Sequence, residues 1–156
     1  GYREFPSSPT QAAPPFRGPT VSVNLSGPFF GRGVLGLLAS RDVRYSVPRL
    51  RVGDQQVRNS YVSSQYGGNL SLELPLSLSA RGSIVFERAS YVLPYQQGGS
   101  AIDRLDRVRT TSASLLRAFG QSVRIGATYE WQERKSALQD FGYRRHSYGL
   151  TAELTP

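Results

Sequence analysis

Gly31, Gly33 and Gly36 stand in the order G-x-G-x-x-G within FFGRGVLGLLASRD, behind the strand-like TVSVNLSG. Glycines so spaced can open a helix whose backbone N–H groups cradle a pyrophosphate, with an acidic residue about 20 positions on to hold a ribose. Asp54 stands near that distance. The context argues against a nucleotide. Pro28, Phe29 and Phe30 separate the strand from the first glycine, residues 34–47 alternate at period two, and no helical period follows. The expected role of these glycines is a turn and a strand that bends tightly.

A second chemistry would be nucleophilic hydrolysis. His146 is the only histidine, so a Ser-His-Asp arrangement must use it, with Asp140 or Asp42 as the third member. Serines are abundant, but no spacing selects one. The expectation is a rim histidine beside Arg144 and Arg145 at the head of the last strand. One histidine, no cysteine and unclustered carboxylates leave no expected metal site, catalytic residue or cofactor.

The remaining candidates are charges on alternating segments: Arg44, Arg81, Arg124 and Arg145, with Glu87, Glu130 and Glu153. If they line a lumen, an excess of arginine would favour anions such as acidic sugars or phosphates. Pairing with the glutamates would instead only stiffen the interior. Both outcomes stay open until strand register is known.

These residues must be positioned by strands. Residues 1–19, GYREFPSSPTQAAPPFRGP, carry five of the ten prolines and read as a loop or N-terminal arm. From residue 20 to 156 we read a single antiparallel unit. Val21, Val23 and Leu25 alternate with Ser22, Asn24 and Ser26; Leu35, Leu37, Ala39, Val43 and Tyr45 continue the pattern, with Val34, Leu38 and Arg41 as exceptions. Val62 to Leu74, Leu78 to Phe86 and Val123 to Trp131 alternate cleanly, as does Tyr148 to Leu154. VRTTSASLLRAF is strand-like with faces obscured by the adjacent Leu115 and Leu116.

Seven strands result, with short turns near Pro28, Pro75 and Gly120. Long polar connections span about residues 48 to 57, 90 to 107 and 133 to 142. Short turns at one rim and long loops at the other are the pattern of an outer-membrane barrel. The fold class expected is all-β, an antiparallel up-and-down transmembrane β-barrel.

No stretch of 18 apolar residues exists, which excludes a transmembrane helix but not transmembrane strands. The net charge of +8 is almost all arginine, since Lys135 is the only lysine. The polar faces carry Gly, Ser, Thr and Asn rather than the Lys and Glu of a solvated surface. Tyr45, Phe86, Tyr129 and Trp131 fall late in their apolar stripes on the way to the long loops, as an interfacial aromatic belt would place them. The alternative is a soluble antiparallel barrel or sandwich that binds a ligand or an acidic partner.

GPTVSVNLSG, ASRDVRYSV, GGNLSLELPLSLSARGSIVFER, VRIGATYEWQERKS and YGLTAELTP resemble the C-terminal strands of the porin-like bacterial outer-membrane β-barrel proteins encoded near exopolysaccharide and exosortase loci. The resemblance covers Gly18 to Pro156. It implies a non-enzymatic barrel in the bacterial outer membrane, serving passive diffusion or polysaccharide export. The ending Leu154-Thr155-Pro156 departs from the terminal aromatic of many such proteins.

The partners expected are the lipid bilayer, an anionic solute or polysaccharide, and the remaining strands of a larger barrel or further copies of the chain, with no nucleic acid. Bacterial single-chain barrels have even strand numbers. Seven strands and a chain without Met therefore lead us to expect the C-terminal part of a larger barrel, or a strand begun upstream of GYREF.

Overall fold

The computed structural model describes residues 2–5, 16–52, 55–97, 100–120, 122–138 and 141–154. The described residues form strands throughout: β1 (Tyr2–Phe5), β2 (Phe16–Pro19), β3 (Val21–Phe29), β4 (Gly33–Val52), β5 (Gln55–Leu74), β6 (Leu78–Tyr91), β7 (Tyr95–Gln97), β8 (Ser100–Ile102), β9 (Leu105–Phe119), β10 (Val123–Ser136) and β11 (Tyr143–Leu154). No described helix is long and apolar enough to cross a membrane.

β3, β4, β5, β6, β9, β10 and β11 form one seven-stranded sheet in chain order, antiparallel at every junction. The sheet is open. β3 and β11 are its edges, so the closed barrel expected from the sequence is not formed by these strands.

Three tight connections of one design join the strands at one rim. Phe29 pairs with Gly33, Leu74 with Leu78 and Phe119 with Val123, leaving three residues outside the ladder each time. Each turn uses left-handed backbone, at Phe30 and Gly31, at Leu76 and Ser77, and at Gly120. Left-handed φ matches the twist of hairpin strands, and glycine adopts it without a Cβ clash.

The other rim differs from expectation in three places. Residues 48–52 and 55–57 continue β4 and β5 rather than forming a loop, with a register shift between Tyr45 and Arg49. The long connection between β6 and β9 contains its own hairpin, β7 against β8. Within the segment read as an arm, β1 pairs antiparallel with β2, Tyr2 opposite Pro19 and Phe5 opposite Phe16. Pro28, expected in a turn, lies within β3, where an edge strand tolerates the missing N–H.

Small residues let the strands approach. A Cβ on Gly33 would stand 2.4 Å from the Ser71 carbonyl oxygen, and one on Gly36 would meet the Asn69 side chain at 2.7 Å. The G-x-G-x-x-G stretch is therefore a hairpin, with Gly31 in the turn and Gly33 and Gly36 in β4, and no helix follows it.

Candidate functional site

Antiparallel partners share a sheet face, so the register sorts every side chain. Val23, Ala39, Tyr66, Phe86, Arg109, Glu133 and Arg144 form one continuous row across all seven strands. The rows toward the tight turns, on the same face, hold Leu25, Leu37, Ile84 and Trp131, then Leu35, Leu70, Ala113, Tyr129 and Tyr148, then Leu72, Leu115, Ala127 and Leu150. This face is apolar and bare: Leu25 is 63 % exposed, Leu115 49 %, Ile125 50 % and Leu150 90 %.

The opposite face is polar. Six of the seven charged candidates lie on it, Arg44, Arg81, Glu87, Arg124, Glu130 and Arg145, and the side chain of Glu153 lies outside the described residues. Ser63 donates to Glu87 at 2.6 Å, Ser83 and Ser112 share a hydrogen bond of 2.7 Å, and Arg145 donates to Glu130 at 3.2 Å. Asp42 stands 3.7 Å from Arg44. A cleft of about 600 Å³ runs across this face, lined among others by Asn69, Arg81, Ser83, Ser112, Thr128 and Glu130. The residues around it come from β5, β6, β9, β10 and β11.

The charges divide between the faces unequally. Up to the Tyr45–Ser60 pair, the polar face sets Arg44, Arg81, Arg124, Arg134 and Arg145 against Asp42, Glu73, Glu87, Asp106 and Glu130. The apolar face sets Arg41, Arg88, Arg107, Arg109, Arg117, Lys135 and Arg144 against Glu133 alone. Of the two outcomes left open for the polar-face arginines, balance with carboxylates is the one the register favours.

Three aromatic candidates lie on the apolar face, Phe86 in the row of Arg109 and Arg144, Trp131 one row and Tyr129 two rows nearer the tight turns. Tyr45 has the same parity in register opposite Ser60, and its side chain lies outside the described residues. Tyr66 stacks on Phe86 with ring centres 5.2 Å apart, and Tyr129 meets Tyr148 at 5.2 Å. The Arg109 guanidinium lies 5.7 Å from the Phe86 ring centre and 5.0 Å from that of Trp131, bridging the two rings.

The belt is not parallel to the strand rows. Phe86 lies in the row of Arg144, whereas Tyr148 stands four residues further toward the tight turns. That descent of about 14 Å over three strand spacings of about 4.8 Å inclines the strands by about 45° to the belt. Transmembrane barrel strands tilt by about this angle. From Val123 to Trp131 the apolar stripe of β10 runs about 27 Å, or about 19 Å in projection at that tilt.

Among the described residues no serine is hydrogen-bonded to His146. Its Nδ1 lies 2.9 Å from the Tyr129 hydroxyl on the apolar face, while Ser83, Ser112 and Asp42 occupy the other face. Asp140 lies outside the described residues.

One cluster escaped the sequence reading. Beyond the charged row, at the long-loop end of β9, Asp106 is fully buried and Arg104 is 4 % exposed. Arg104 donates to Asp106 at 2.8 and 3.1 Å, Arg134 donates at 3.1 Å, and Ser136 donates as well. The Arg104 guanidinium sits between the Tyr91 and Phe141 rings, 4.2 and 3.9 Å from their centres. Burial alone would raise the Asp106 carboxyl, but the hydrogen bonds from Arg104, Ser136 and Arg134 outweigh it and hold it below the usual carboxylate range. Alternating acid and base in DRLDR was the available signal, and a loop assignment hid it.

The described residues thus define an all-β protein with a seven-stranded antiparallel sheet, polar on one face and apolar on the other. Comparison of the chain with protein-family models, curated proteins and solved structures finds no match.

Proposed function

We propose that this sheet is wall of a porin-like β-barrel in the bacterial outer membrane, non-enzymatic, its polar side facing a water-filled lumen. The observation that carries this reading is a bare apolar face set opposite a polar face that holds a cleft across five strands. A soluble β-barrel curls around its apolar side chains, whereas a membrane barrel turns them toward lipid. Here the buried hydrophobic residues are only Val43, Ala89, Leu116 and Leu138 among those described, far too few for a water-soluble chain of this length.

The lumen of such a barrel is hydroxyl-rich and close to charge balance, which suits passage of polar solutes or a polysaccharide strand with weak ion preference. The short-turn rim is periplasmic and the long strands and hairpin are external, as in barrels of known orientation. The seven strands complete a closed wall with further strands, because lipid cannot satisfy open backbone edges.

Bilayer conductance of the detergent-purified chain, alongside heat-modifiable gel mobility, tests the reading. Stepwise conductance with a heat-shifted band supports it. A folded sheet that partitions into water without detergent overturns it in favour of a soluble binding module.

A further inference from the structure

Four of the seven basic groups on the apolar face stand in one register row. Immediately beyond the row of Arg109 and Arg144, a single register row contains Arg41, Ser64, Arg88, Arg107 and Lys135, with no acid in it. Arg88 pairs directly with Arg107, and Arg107 with Lys135, and all three are exposed. Like charges directly opposite one another destabilise a sheet. Glu133 in the neighbouring row is engaged by Arg144 at 2.8 Å and Lys135 at 3.8 Å. Among the described residues no carboxylate forms an ion pair with Arg41, Arg88 or Arg107. The anion these groups are arranged for lies outside the sheet.

Its chemistry follows from residue type and level. Guanidinium groups bind phosphate oxygens in pairs. The basic row borders the aromatic belt of Phe86 and Trp131, where the apolar band ends, which is the level of lipid headgroups. We propose that Arg88, Arg107 and their neighbours form a belt that binds the phosphates of anionic lipid headgroups in the leaflet at the long-loop rim. This rests on the membrane reading above. The belt selects phosphorylated lipids around the wall and offsets the repulsion built into the ladder.

Trp131 is the only tryptophan and lies beside Arg109, so it reports on this level. The chain is folded into vesicles containing either dibrominated phosphatidic acid or equally brominated phosphatidylcholine, and quenching of Trp131 gives the relative affinity. With about 1 kcal/mol for each basic group near the surface, a preference of about fivefold or more for the phosphatidic acid is expected. It falls toward unity in Arg88→Gln/Arg107→Gln and persists in the polar-face variant Arg124→Gln. Heat-shifted gel mobility establishes that each variant is folded, with Arg107→Gln alone replacing the pair if the pair fails to fold. Equal quenching by both lipids in the wild-type chain, or an unchanged preference in the double variant, overturns the proposal. Absence of quenching by either lipid would instead mean that the chain is not in the membrane.

Discussion

Asp106 on β9 is fully buried while accepting a hydrogen bond of 3.1 Å from Arg134 on β10. It also holds Arg104, itself buried between two aromatic rings. The cluster ties the start of β9 and the end of β10 to the segment leading out of β8.

Asp106→Asn leaves Arg104 buried without a counter-charge, and loss of one partner of a buried pair costs about 3–5 kcal/mol. The expected outcome is a marked drop in the urea midpoint of the folded chain. Arg134→Met, which leaves the Arg104–Asp106 pair in place, should cost less.

The same carboxylate predicts a pH dependence. Its folded value is depressed, so its contribution is fully present above the ordinary carboxylate range and is lost as the pH falls through the folded value. Unfolding midpoints measured from pH 7 downward should decline in the wild-type chain below about pH 4. Asp106→Asn should flatten that part of the decline.

Neighbouring glycines should respond unequally to alanine. A Cβ on Gly67 would lie 2.3 Å from the Ile84 carbonyl oxygen and 3.0 Å from the Val85 Cα, both backbone atoms. On Gly68 the nearest atom is 3.3 Å away. Gly67→Ala should cost about 1–3 kcal/mol by overpacking, and Gly68→Ala clearly less, by urea titration of the two variants side by side.

Charge balance on the polar face predicts weak ion selectivity for the proposed channel. Arg81→Glu should move the reversal potential toward cations in a salt gradient. Arg117→Glu, on the outer face, should leave selectivity unchanged.

The fold was legible wherever alternation was strict. Strand number and the two kinds of rim follow from Val62 to Phe86 and from Val123 to Leu154, because a one-residue slip would move every apolar side chain to the wrong face. Leu115 and Leu116 obscured β9 because both are apolar. The structure separates them: Leu115 faces outward, and Leu116, 3 % exposed, packs over Gly126 on the polar side. Residues 48–52 and 55–57 concealed strand because Pro48, Arg49 and Arg51 break the alternation, although these residues continue β4 and β5.

Of the candidate site, membership of each face was readable from parity alone. What parity cannot give is which residues stand level with each other on separate strands. Arg41 appeared as an exception to the pattern of β4, and only its register with Arg88 and Arg107 makes it part of a row.

β3 and β11 both run from the long-loop rim to the tight-turn rim, and this gives the sheet a direction of assembly. Two copies inserted the same way up cannot join β11 to β3 antiparallel, and joining like edges antiparallel would turn one copy upside down. Only the less stable parallel ladder remains to them. An odd number of intervening strands restores antiparallel closure, so in the proposed wall the two borders discriminate against their own kind.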